Sequence, residues 1–172
     1  MQGKLIECLG IGRELDAPKI RRKLYILKQL KNRYMWIGSV VHSCIERSVK
    51  NIYRGIKPLD TERILQITLK MMKGDFVSSQ RKRYLREPKT CALFEHEYDI
   101  DVGKEEWDRV FDSVEKHIRT FYESEVYQEI CSLPKENWLE VEEFSHFLLD
   151  NVKVWAILDF AFKDGNKVII YD

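Results

Sequence analysis

A chain of 172 residues with 44% hydrophobic and 12% aromatic content can bury one sizeable core, which excludes a disordered polymer as its overall description. The longest apolar stretch, residues 154–162, is broken by Asp159 and too short for a bilayer, and Cys8, Cys44, Cys91 and Cys131 are widely spaced with no C-x-x-C pair; together these predict a cytoplasmic protein with reduced thiols and no membrane span. The net charge of +1 conceals a strong segregation: residues 1–57 hold 13 Lys/Arg against 4 Asp/Glu, residues 58–92 hold 8 against 4, and residues 93–172 hold 8 against 20.

The first predicted helix follows Pro18 and runs over residues 18–34, and the second covers residues 36–54 and ends at Gly55. Between Ala17 and Ile45 lie seven Lys/Arg and no acid, with Tyr25, Tyr34 and Trp36 among them. Lys19, Arg21, Arg22, Lys28, Lys31 and Arg33 are therefore candidate phosphate contacts. The alternative is a solvated face, or one paired with the acidic half of the chain.

Pro58 separates a third helix, capped by Asp60 or Thr61, whose stripe of Ile64, Ile67, Thr68, Met71 and Met72 reads as core. Residues 78–101 are polar and basic with no sustained helical period, and read as a long connection with a short strand possible at 92–98. Residues 104–130 form one long helix with Trp107, Val110, Phe111, Val114, Ile118 and Phe121 on its buried side.

After Pro134 the pattern changes to strands at 138–149, 152–163 and 167–172, with Asp164-Gly165 as the turn between the last two. A two-residue turn there sets Asp159 opposite Ile170 and puts Asp172 on the same face as Asp159. Diagonal neighbours lie about 7–8 Å apart, within reach of one divalent cation. Asp159 also sits in a run apolar enough for burial on both faces, where a carboxylate needs a partner; a metal ion is one, and a salt bridge or access to solvent is the alternative. On the second helix, His42 and Glu46 share a face at the border of the apolar stripe, and Gly38 one turn earlier leaves room for a close backbone approach. A single histidine in that position is also compatible with a core role.

Gly38-x-x-x-His42-x-x-x-Glu46, followed by Val154-Trp155-Ala156-Ile157-Leu158-Asp159 and then Val168-Ile169-Ile170-Tyr171-Asp172, resembles the RecB-type branch of the PD-(D/E)XK nucleases over residues 24–172. The resemblance implies an α/β chain in an α+β arrangement, with N-terminal helices on a small mixed sheet and a restriction-endonuclease-like core. It implies one partial nuclease domain over residues 1–172, mainly helical over 1–134, with the sheet and metal-site hairpin in 135–172.

By the same resemblance, Asp159 and Asp172 are core metal ligands, His42 is an accessory ligand, and Glu46 and Gly38 are supporting residues. The cofactor would be Mg²⁺ or Mn²⁺. The implied activity is metal-dependent hydrolysis of DNA phosphodiester bonds, as an exonuclease in repair or recombination, with DNA and a helicase or recombination protein as partners. The family's catalytic lysine falls two positions after Asp172, past the last residue, and the Q-x-x-x-Y helix is missing too, so weak or absent cleavage is expected of this chain. No iron–sulfur cluster is expected, because Cys8 lacks the Cys-Pro-Arg neighbourhood. A non-catalytic DNA-binding module, or a protein-interaction domain that keeps the fold, remains the alternative.

Overall fold

The computed structural model describes residues 18–141, 144–157 and 159–171, with the side chains of residues 140, 144–147, 156 and 157 left aside. The fold is mixed α and β, with helices first and strands after them. The helices are α1 (Lys19–Gln29), α2 (Arg33–Tyr53), α3 (Thr61–Gln80), α4 (Phe94–Glu97), α5 (Lys104–Tyr122) and α6 (Glu125–Ser132); the strands are β1 (Trp138–Val141), β2 (Phe144–Leu149), β3 (Val152–Ile157), β4 (Phe160–Asp164) and β5 (Lys167–Tyr171). No helix among the described residues is long and apolar enough to cross a membrane.

The chain divides into two compact units, one of Met1–Val40 with Ile64–Lys116 and one of Val41–Arg63 with His117–Asp172.

In the first unit, Asn32 ends the gap between α1 and α2 by accepting the Met35 N–H at 2.8 Å, so α2 starts before the expected Trp36. The segment before it is tied to the segment before α4: Lys31 N–H donates to the Ala92 carbonyl at 3.1 Å, and Phe94 N–H donates to the Lys31 carbonyl at 2.9 Å. At 92–98, where the sequence suggests a short strand, the chain makes only a parallel bridge of Leu93 with Lys31 and then turns into α4. The expected long connection is shorter too, because α3 runs on to Gln80 and a 3₁₀ turn fills Arg83–Leu85. Ile26, Tyr84 and Ala92 form one buried cluster. Phe76, half-buried, packs edge-on against the half-buried His96, Trp107 and Phe111.

The α3 stripe differs from expectation at two places: Met71 is 50% exposed, and Leu65 is buried instead. Asp60 does cap this helix, accepting the Arg63 N–H at 2.9 Å. In α5 the expected stripe is buried at Val110, Val114 and Ile118. The helix stops at Tyr122, because the Ser124 side chain accepts the Tyr127 N–H and starts α6.

The second unit holds both sheets. β1, β4 and β5 form one in the order β1-β4-β5, and β2 and β3 form another. Every described strand pair is antiparallel, so the mixed sheet expected from the sequence is not what these residues build. The expected strands 138–149 and 152–163 each divide between the two sheets. β2 and β3 are joined by Asp150-Asn151, both at positive φ (48° and 64°), as a type I′ hairpin requires. Val49, Ile130, Trp138, Val141, Phe160 and Phe162 form the buried core of this unit. Phe160 and Phe162 stack with Tyr171, which fixes β5 against β4.

Candidate functional site

His42 is on the part of α2 that belongs to the second unit, and Asp159 is in the bend that carries the chain from β3 in one sheet to β4 in the other. The fold brings them together: His42 Nδ1 lies 3.8 Å from Asp159 Oδ2. That distance is too long for a hydrogen bond. Two donor atoms bound to one octahedral ion through bonds of about 2.1 Å lie roughly 3.0 Å apart when adjacent, so this pair would have to close by several tenths of an ångström to share one.

Asp159 differs from expectation in its surroundings. Its side chain is 39% exposed and that of His42 is 50% exposed, so the carboxylate is at a solvent-facing corner and not in a strand buried on both faces. The reason is the change of sheet at this point: β3 pairs with β2 and β4 pairs with β1 and β5, so the apolar run is two strands with a corner between them. From the corner, β4 enters the core at once through Phe160, Ala161 and Phe162, all buried, and this anchors the backbone beside Asp159.

The hairpin turn is Gly165-Asn166, one residue later than expected. Asp164 pairs with Lys167 as a cross-strand ion-compatible pair, and Gly165 takes φ +57°. Ala161, not Asp159, therefore faces Ile170, and Phe160 faces Tyr171. Asp172 lies outside the described residues.

Glu46 faces Lys50 one turn on, with Lys50 Nζ 2.5 Å from its Oε1, so its charge is used within the helix. At Gly38 an added Cβ would meet nothing within 4 Å, so no described part of the chain uses the space it leaves. Near His42 on the same helix, the Ser48 hydroxyl donates to the Cys44 carbonyl at 3.0 Å and meets the Tyr122 hydroxyl. Burial pushes the Tyr122 phenol well above its ordinary range, with Ser48 acting against the shift. Burial likewise raises the Tyr127 phenol, and the neighbouring Cys131 and Cys44 add to it. Burial thus favours the neutral form of both phenols.

The basic set divides. Arg22 donates to the Leu85 carbonyl at 2.6 Å, Lys31 to Ser39 Oγ at 2.5 Å, and Arg33 pairs with the buried Glu95 at 3.3 Å. Lys19, Arg21 and Lys28 are exposed. Among the described residues no group of three or more His, Cys, Asp or Glu is placed to hold a metal ion. Of the expected ligands, the structure thus brings two together. Compared with protein-family models, with curated proteins and with solved structures, the chain matches none.

Proposed function

We propose that the chain carries part of a divalent-metal site for phosphodiester hydrolysis in DNA, in the manner of a RecB-like PD-(D/E)XK exonuclease domain. The observation that supports it is the approach of His42 and Asp159, far apart in sequence, to 3.8 Å at an exposed corner. The restriction-endonuclease-like core belongs to this proposal, as do a role in DNA repair or recombination and a helicase or recombination partner. Asp172 belongs to the proposal through the sequence resemblance alone, since it lies outside the described residues.

The residues present fit the ion in their donor chemistry, one carboxylate oxygen and one imidazole nitrogen. Mg²⁺ or Mn²⁺ bound there would supply Lewis-acid polarisation of a phosphate oxygen and a lowered pKa for a bound water. Asp159 contributes the negative charge that draws a cation to the corner. To ligate through Nδ1, His42 would have to carry its ring proton on Nε2. A nitrogen donor also favours Mn²⁺ over Mg²⁺, since Mg²⁺ is held almost entirely by oxygen.

Calorimetric titration of the 172-residue chain with Mn²⁺ tests the proposal. The wild type should bind Mn²⁺ more tightly than Mg²⁺, Asp159→Ala should abolish the binding, and His42→Ala should weaken it. Equal Mn²⁺ uptake by folded wild type and Asp159→Ala would refute the site. The protein would then be better read as a non-catalytic nucleic-acid-binding or protein-interaction module.

A further inference from the structure

In the first unit, Arg33, Tyr34, Met35, Phe94, Glu95 and Ile100 line a cavity of about 310 Å³, together with Leu30 and Asn32. We propose that this cavity binds an unpaired nucleobase of a single-stranded nucleic acid. The proposal rests on the reading of the chain as a protein that acts on DNA, and it concerns a different set of residues from His42 and Asp159.

The first observation is an incomplete polar pair. Glu95 is 3% exposed, and its Oε1 accepts from the Arg33 backbone N–H at 3.0 Å and from Arg33 Nη1 at 3.3 Å. Its Oε2, and Nε of Arg33, have no hydrogen-bond partner among the described residues. Buried polar atoms are almost always paired, so an unpaired acceptor and an unpaired donor in one ion pair need an explanation. A ligand edge with a donor next to an acceptor would complete both. Every nucleobase has such an edge, so the site would read an unpaired base and not a sequence.

The second observation is the apolar border. Tyr34, Met35, Phe94 and Ile100 are 62%, 57%, 41% and 46% exposed, four large side chains left in water around one cavity. A flat ring would cover them while its edge reached the ion pair. A purely aliphatic ligand would leave the polar pair unmet, and a phosphate would be repelled by the Glu95 carboxylate. Both unpaired atoms are covered in this structure, and the Arg33 guanidinium lies 4.5 Å from the centre of the Tyr34 ring. The Tyr34 hydroxyl accepts from Arg33 Nη2 at 3.0 Å; on binding, Tyr34 would give up this bond and turn to stack on the base, a movement open to an exposed side chain on the nanosecond scale.

The test is fluorescence-anisotropy binding by the full chain in EDTA, with a short single-stranded oligodeoxyribonucleotide, its duplex, and an abasic strand of the same length and charge. The unmodified strand should bind about tenfold or more tighter than the abasic strand or the duplex. Tyr34→Ala should weaken that binding by about tenfold, the scale of one lost base–aromatic stack, and Ile100→Asp, which puts a charge on the apolar border, should weaken it too. Equal binding of the normal and abasic strands would overturn the proposal, because phosphates alone would then be held. Unchanged affinity in both variants would overturn it as well. Asp159→Ala should bind the strand as the wild type does. Loss of Mn²⁺ binding and loss of base binding are therefore separable failures.

Discussion

Ser79 holds α4 in place, and Ser79→Ala should destabilise the first unit by roughly 1–3 kcal/mol, the scale for a buried donor left without an acceptor. Its side chain is fully buried and its Oγ accepts the N–H of Leu93, also fully buried, at 2.8 Å. The same oxygen is 3.0 Å from His96 Nδ1. The hydroxyl keeps its proton and a second lone pair, so it can either donate to Nδ1 or accept from it; we predict that it donates, with His96 neutral and protonated at Nε2. Burial lowers the His96 pKa, with Lys82 acting the same way and Glu95 against it.

The folded state therefore binds this proton less readily than the unfolded chain. The contribution to stability is present above the ordinary histidine value and is lost as pH falls through it toward the lowered one. Removing the hydroxyl removes a donor to neutral His96, so Ser79→Ala should also flatten the acid side of the stability profile. Urea unfolding followed by tryptophan fluorescence between pH 5 and pH 8 reads both effects, since Trp107 lies 5.4 Å from His96. A loss below about 0.5 kcal/mol, the ordinary scatter of neutral substitutions, would refute the reasoning. An acid slope equal to that of the wild type would refute the tautomer assignment.

The remaining predictions concern a thiol and the core of the second unit. Burial pushes the Cys91 thiol up to about 12, with Asp75 adding to the shift and Lys31 opposing it, so at pH 8 iodoacetamide should modify exposed Cys131 well before Cys91; equal rates by mass spectrometry would contradict this. Phe162→Ala removes a 1% exposed ring stacked on Phe160 and Tyr171 and should cost about 3–5 kcal/mol in denaturant unfolding, while a loss under 1 kcal/mol would mean that β4 does not carry this core.

The helices were legible because their apolar stripes persist over several turns, and their ends were less so. Glu123-Ser124 does not interrupt a helical pattern, yet Ser124 starts a new helix by capping it. Asn32 likewise begins α2 before the first strongly apolar position. The strands 138–149 and 152–163 read as continuous because each residue suits a strand, and a change of sheet leaves little trace in propensity. Asp164-Gly165 and Gly165-Asn166 are both good turn pairs, so local chemistry did not choose between them. The Asp164↔Lys167 pairing goes with the later one. The shift moves each partner by two positions, which keeps every side chain on the face expected for it.

The same contrast separates the two candidate sites. His42 and Asp159 were legible because each stands out against its neighbours, a histidine at the edge of an apolar stripe and an acid inside an apolar run. Glu95 is one acid in Phe94-Glu95-His96-Glu97-Tyr98-Asp99, with nothing local to distinguish it from Glu97 or Asp99. Only the fold separates them: Glu97 accepts from the Tyr84 hydroxyl at 2.6 Å, Asp99 meets Lys82 at 3.0 Å with its side chain 81% exposed, and Glu95 is buried on Arg33 with one oxygen unspent. Arg33 changes meaning with it. In the sequence it is one more charge in a basic run that suggests phosphate; in the structure its charge is matched by Glu95, and the pair is suited to the neutral edge of a base. On the DNA-binding proposal, phosphate attraction within that run would fall to exposed residues of α1, Lys19, Arg21 and Lys28 among them. Substituting these three should lower the salt dependence of strand binding, whereas Tyr34→Ala should lower the difference between a normal and an abasic strand.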